Sequence, residues 1–405
     1  MTEPENEGTN YHPEDRMRVA YILTPIEFGG SEKVNLLFLR QVDRRKFNIL
    51  PILLIRPWEG KTLFEKELEM EGYAFTRVPV AVREKSAGRD YFRVGRCCWM
   101  IRRIIRDQGV HLVHTHGYFA DIVGVTAAKT NNIRAISTCH GFIRNNRKLG
   151  FYNTLDRFFL RWADQVIAVS EGIQADLLKR GIREGKVRVI QNAVSEGSPA
   201  WDMRRMRDKI RSELHLDDQD YVVGFIGRLS PEKGISVLIE AVRLLKEEGI
   251  PVTTLIVGDG PEKDSLAYAA RSRGLEDTVR FPGFQRDINA WLAAMDVFVL
   301  PSFSEGTPMA ALEAMSAGIP VIASRVGGLP AIIEDGVHGH LIPPGNPVLL
   351  AGGIRRLLLD PTERESLGRN ATSRVREKYN LMDWCRKIEG IYEDLVGNAL
   401  PGGGL

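Results

Sequence analysis

The feature that most constrains this chain is a repeated alternation: short apolar runs rich in Val and Ile, each followed by a longer stretch with helical spacing. Strands buried on both faces of a parallel sheet read this way, with crossover helices between them. The fold class is therefore α/β. In the first half the strand candidates are Arg18 to Leu23, Asn48 to Ile55, Ala74 to Val78, Leu112 to His114, Ala135 to Thr138, Gln165 to Val169 and Val187 to Ile190. In the first helical stretch Val34, Leu37, Phe38, Gln41 and Val42 step at three and four residues, with Ser31 placed to cap and Glu32 in the first turn.

A second series of six runs follows: Tyr221 to Ile226, Thr253 to Val257, Thr278 to Phe281, Val297 to Leu300, Pro320 to Ala323 and Gly339 to Ile342. Two doubly wound domains result. Residues 1–15 read as a flexible acidic tail, 16–195 as the first domain, 196–220 as a polar linker, 221–380 as the second domain, and 381–405 as a terminal helix that packs back on the first. In that helix Trp384, Ile388, Ile391 and Tyr392 share one face.

With 405 residues the chain has room for two cores, and 55 basic against 52 acidic side chains leave a net charge of only +3. That balance gives no general argument for nucleic-acid binding. Cys97, Cys98, Cys139 and Cys385 show neither metal-ligand nor disulfide-framework spacing and read as buried thiols of a reducing cytosol. The start lacks the pattern of a signal peptide, and no apolar run approaches the ~20 residues of a spanning helix. The expected location is the cytoplasm, either free or at the inner face of the cytoplasmic membrane.

In sheets of this kind ligands bind at the carboxyl ends of the strands, so the loops after strands carry the chemistry. After the first strand, Phe28-Gly29-Gly30-Ser31-Glu32 opens directly into a helix, where bare backbone N–H groups can meet an anion; a tight turn accounts for it equally well. The second domain repeats the device with Gly227-Arg228-Leu229-Ser230-Pro231-Glu232-Lys233-Gly234 and adds two cations, a set that suits a diphosphate. The next such loop is Gly258-Asp259-Gly260-Pro261, without the G-x-G-x-x-G spacing of a nicotinamide site.

The most specific segment runs from Pro301 to Glu313, Pro-Ser-Phe-Ser-Glu-Gly-Thr-Pro-Met-Ala-Ala-Leu-Glu. Glu305 and Glu313, eight residues apart, can grip two ends of one hydroxylated ligand, and Gly306, Thr307 and Pro308 leave N–H groups near a helix start. A helix cap and a surface charge are the plainer readings. Glu313, however, sits among Ala310, Ala311, Leu312, Ala314 and Met315, where a carboxylate needs a partner.

On these residues the chain resembles the retaining glycosyltransferases of GT-B architecture, glycosyltransferase family 4. The resemblance covers nearly all the chain after the tail and implies two Rossmann-like domains facing across a cleft. It implies that Glu305 contacts donor-sugar hydroxyls, that Glu313 holds the ribose, and that Arg228 and Lys233 bind the donor diphosphate. Gly29 and Gly30 would lie near the phosphates and acceptor, Gly258 and the turn with Phe284 near the base, and Gly306, Thr307, Pro308 and Met309 along the donor. His116 matches the family histidine that touches the donor sugar from the opposite domain.

His116 shares the segment Val113-His114-Thr115-His116-Gly117 with His114, and His140 follows the next strand; His140 and Arg144 are assigned to the acceptor side. The i, i+2 pair His114 and His116 is read as pointing to opposite faces of its strand, which argues against a shared metal. No divalent-metal site and no cofactor are expected, since Asp218-Gln219-Asp220 precedes a strand. Fixed cations then stabilise the leaving diphosphate.

Between Arg83 and Lys148 thirteen basic side chains stand against four acidic ones, with Phe92, Trp99, Phe142 and Leu149 among them. Such a stretch fits an anionic membrane surface or a lipid-diphosphate acceptor, and equally a solvated helix face. The expected activity is transfer of a hexose-type sugar from a UDP- or GDP-sugar to a hydroxyl, on a lipid-linked or cell-surface polysaccharide precursor. The alternatives are a small soluble acceptor or a non-catalytic nucleotide-sugar-binding protein.

Overall fold

The short apolar runs rich in Val and Ile become strands of parallel sheets covered on both faces. A computed structural model describes residues 16–25, 29–56, 58, 60–80, 92–140 and 158–397. The chain divides into two compact units, Met1–Ile190 with Cys385–Leu405, and Gln191–Trp384.

The first unit holds a seven-stranded parallel sheet. Its strands are β1 (Met17–Leu23), β2 (Phe47–Ile55), β3 (Thr76–Pro79), β4 (Leu112–His116), β5 (Arg134–Cys139), β6 (Gln165–Ala168) and β7 (Val187–Val189), in the order β3-β2-β1-β4-β5-β6-β7. Strand order reverses between β1 and β4, whose registers run Val19 to Leu112 through Leu23 to His116. All five residues of β4 are buried. From Cys385 onward the helix Leu381–Val396 belongs to this unit, and its Tyr392 ring meets Phe38 and Phe47 edge-on at 6.0 and 5.7 Å.

The second unit holds β8 (Val222–Ile226), β9 (Thr253–Val257), β10 (Val279–Gly283), β11 (Val297–Leu300), β12 (Val321–Ser324) and β13 (His340–Ile342), parallel in the order β10-β9-β8-β11-β12-β13. Here the order reverses between β8 and β11. The stretch read as a linker, 196–220, contains a helix, Ala200–Glu213, that falls within the second unit. Its anchor is Arg211, 2% exposed, whose guanidinium meets Asp296 at 2.8 Å and the carbonyls of Asp217 and Asp220. The charged amphipathic stretch of the sequence, with Met203, Met206 and Ile210 at helical spacing, is this helix.

The first helix, Gly30–Gln41, also begins differently from the sequence reading. Gly29 is the N-cap, and Ser31, expected to cap, lies inside the first turn. Glu32 at the third position reaches back, so its Oε2 accepts from the Gly29 N–H at 3.1 Å and from the Ser31 hydroxyl at 2.7 Å. Cys97, Cys139 and Cys385 are buried free thiols, and Cys98 is half-buried. Among the described residues no helix is long and apolar enough to cross a membrane.

Candidate active site

Each sheet leaves a crevice where its strand order reverses, beyond the carboxyl ends of the strands. In the second unit that place is formed by the loops after β8 and β11. Ser230 leads a single 3-10 turn, Pro231–Lys233, and Gly234 then takes a left-handed φ of 62° before the helix Ile235–Glu247. A Cβ on Gly234 would lie 2.3 Å from the Pro301 carbonyl oxygen, so glycine is required for the two loops to touch.

That closeness brings Lys233 to Glu305. The Lys233 ammonium donates to Glu305 Oε1 at 2.8 Å, and the Ser302 hydroxyl donates to the same oxygen at 2.6 Å. The Glu305 side chain is 6% exposed and that of Lys233 23%. A carboxylate so buried must be paired, and here it has a charge and a hydroxyl on one oxygen. The Phe303 N–H donates to the Glu232 carbonyl at 2.8 Å and ties the loops again.

A third loop, after β12, joins them without having been singled out from the sequence. The Gly328 N–H donates to the Gly306 carbonyl at 3.1 Å, and a Cβ on Gly327, with φ 54°, would stand 1.8 Å from the Glu305 carbonyl oxygen. The sequence signal was present: Gly327 and Gly328 follow an apolar run, as the other glycine loops do.

The remaining residues assigned to this site take the following places. Gly258 has φ 139° and donates its N–H to the Gly283 carbonyl at 2.9 Å, which joins the loop after β9 to the turn where Phe284 is exposed. Thr307 is half-buried; Pro308 and Met309 are buried at the start of the helix Met309–Ser316. Glu313 is half-buried on that helix, and Arg228 is exposed.

In the first unit the crevice lies between β1 and β4. A cavity of about 150 Å³ opens there, lined among others by Thr24, Glu32, Asn35, Phe64, His116 and His140. Gly29 and Gly30 are exposed at the start of the neighbouring helix. His116 and His114 share one face of β4, with ring centroids 4.3 Å apart. This overturns the expectation of opposite faces, because a period of two returns residue i+2 to the side of residue i. His116 Nδ1 lies 3.3 Å from His140 Nε2.

His114 is wholly enclosed, with Nδ1 2.6 Å from the Tyr392 hydroxyl and Nε2 2.8 Å from the Thr138 hydroxyl. Burial favours the uncharged imidazole in all three histidines. It pushes His114 down to about 3 and His140 to about 4, and it lowers His116 strongly, with the neighbouring histidines adding to the effect. Arg144 lies outside the described residues.

Comparison with known proteins matches residues 28–197 to the family described as Glycosyltransferase Family 4 and residues 206–374 to that described as Glycosyl transferases group 1. The chain is 30% identical over 243 residues to alpha-D-kanosaminyltransferase of Streptomyces kanamyceticus, covering 59% of this chain and 63% of that protein's length. It is 29% identical over 308 residues to UDP-Gal:alpha-D-GlcNAc-diphosphoundecaprenol alpha-1,3-galactosyltransferase of Escherichia coli, covering 73% and 78%. Among solved structures, HepE of Anabaena in complex with UDP-glucose superposes with a TM-score of 0.78 at 24% identity, over 94% of this chain and 100% of that one. This shows that the two share the GT-B fold.

Proposed function

Because the chain belongs to glycosyltransferase family 4, we propose that it moves a hexose-type sugar from a UDP- or GDP-sugar to a hydroxyl of a lipid-linked or cell-surface glycan precursor, with retention of anomeric configuration. The observation that carries this reading is the ion pair of Lys233 with the buried carboxylate of Glu305 at the reversal point of the second sheet. Lys233 offers a fixed positive charge where a diphosphate leaving group gathers negative charge, and Arg228 on the same loop adds a second. Glu305, oriented by the hydrogen bonds from Lys233 and Ser302, is an acceptor for sugar hydroxyls.

In this reading Glu313 holds the ribose, Phe284 and Gly258 border the base, and the amides at Gly306 to Met309 donate to the donor. His116, neutral at physiological pH, contacts the donor sugar, and His140 and Arg144 serve the acceptor. The departing phosphate takes the acceptor proton, so no separate base is needed, and Lys233 and Arg228 supply the counter-charge without a divalent ion.

The name of the Escherichia coli relative supports a lipid-diphosphate-linked acceptor. The helix Arg93–Asp107 supports contact with an anionic lipid surface, since it exposes Trp99, Arg102, Arg103 and Arg106 beside Phe92, which is 84% exposed.

The test is a screen of UDP-, GDP- and ADP-sugars for thermal stabilisation and slow hydrolysis. One UDP- or GDP-sugar is expected to stabilise the chain and turn over in the presence of chelator. Lys233→Ala should lower that turnover about 100- to 1000-fold, the effect of losing one donor to a developing oxyanion. Stabilisation undiminished in Lys233→Ala, or no response to any donor, would refute the assignment.

A further inference from the structure

The second unit has a cavity of about 430 Å³ that none of its glycine loops borders. It lies at the other edge of the sheet. Asp218, Met295 and Ile319 line it and precede β8, β11 and β12, so in parallel strands they stand at the amino ends, whereas Lys233 and Glu305 follow the carboxyl ends. Its volume falls within the roughly 300–1,000 Å³ of pockets that hold small molecules.

Two of its walls are held in place. Met295 is 1% exposed and packs on β8 where Gly224 has no side chain; a Cβ there would stand 2.0 Å from Met295 Sδ. On the helix Ala200–Glu213, Arg207 donates to Asp296 at 2.8 Å and to the Ala293 carbonyl at 3.3 Å.

The charges lining the cavity cancel, two against two: Arg204 and Arg207, Asp208 and Asp218. Arg204, Asp208 and Asp218 are exposed, and among the described residues no ion pair engages them. Arg204 and Asp208 are four apart on one helix face, a spacing at which opposite charges can meet, yet they stay apart. Arg211, close enough to feel Asp218, is already committed to Asp296.

We infer that this cavity binds a free α-amino acid with an apolar side chain, its carboxylate toward Arg204 and Arg207 and its ammonium toward Asp208 and Asp218. A ligand of one sign would be repelled by half of these groups. An uncharged apolar ligand would strip water from charges and give them no partner. A zwitterion answers both signs with charge-assisted hydrogen bonds. Its side chain lies on Met203, Met295 and Ile319, where the two thioethers adapt to its shape. The site shares no residue with the donor loops, and neither assignment depends on the other.

The experiment uses the full chain carrying ¹³C-methyl methionine, without nucleotide, titrated separately with L-leucine, L-methionine and L-phenylalanine. At least one should move the methyl resonances of Met203 and Met295 and saturate at millimolar concentration. Leucinamide, which keeps only the ammonium, and 4-methylpentanoate, which keeps only the carboxylate, should bind at least about tenfold more weakly than the best amino acid, the effect of losing one charged hydrogen-bond partner. Glycine, with both charges and no side chain, should be weaker too. In Asp208→Asn, an exposed position whose change leaves the core alone, the best amino acid should lose about tenfold in affinity.

Silence at Met203 and Met295 from all three amino acids would overturn the inference. So would leucinamide or 4-methylpentanoate binding as tightly as the best amino acid, or an unchanged affinity in Asp208→Asn. The wild-type titrations decide the matter even if the variant does not fold.

Discussion

Both sheets reverse their strand order once, at β1/β4 and at β8/β11, and the two reversal points carry opposite chemistry. The second unit gathers charge: Lys233 and Glu305 meet across loops that glycines allow to touch. The first unit suppresses it, with three histidines kept neutral and the helix N-terminus answered by Glu32. Topology supplies the place, and a few side chains decide which ligand charge it tolerates. The proposed donor diphosphate finds its counter-charge in the second unit.

The contrast breaks most visibly under acid. A histidine whose folded pKa is depressed binds its proton more readily in the unfolded chain, so stability falls as pH drops below about 6.5, the ordinary histidine value, and goes on falling until the folded pKa is reached. For His114 that window runs down to about 3 and for His140 to about 4. Each buried histidine contributes up to about 1.4 kcal/mol per pH unit in this range. Hydrogen exchange at pH 7 and pH 5 should therefore show β4 and β5 losing protection while β8 and β11 keep theirs. Earlier loss in β8 and β11 would mean that the neutral histidines do not distinguish the units.

A smaller effect tests the charged side. In Gly327→Ala the new methyl would press on the Glu305 backbone from a left-handed position, at a cost of roughly 2–5 kcal/mol. Thermal unfolding should show that loss, and stabilisation by the donor sugar should weaken with it. Donor binding at wild-type strength would show that the loop after β12 does not hold Glu305 in place.

Among the described residues thirteen strands were legible because most are apolar runs covered on both faces, and their limits differ from the sequence reading by one or two residues at most ends. The amphipathic stretch that forms the helix Ala200–Glu213 was visible but was assigned to the connection, because its anchor is an arginine, and Arg211 looks from the sequence like any surface charge. The pairing of Lys233 with Glu305 joins residues 72 apart, so the sequence offered two separate loops with suitable chemistry and no distance between them. Glu32 was legible as a first-turn acid, yet its reach back to Gly29 depends on where the helix begins, which propensity fixes only to within a residue or two.

The finest test lies among the buried histidines of the first unit. His114 packs against His116 and is held at Nδ1 by the Tyr392 hydroxyl, so the terminal helix fixes a ring two residues from the one that lines the cavity. Tyr392→Phe keeps the ring that packs on Phe38 and Phe47 and removes only the hydroxyl. Leaving a buried nitrogen without its partner costs about 1–3 kcal/mol, and His114 retains Thr138 on its other nitrogen, so about 1 kcal/mol is the expected loss by urea unfolding. Freed at one end, His114 can turn, and His116 with it. Hydrogen exchange should then show β4 and the helix Leu381–Val396 losing protection together, with donor stabilisation in the second unit unchanged. Equal loss in β8 and β11 would show instead that the hydroxyl supports the fold as a whole.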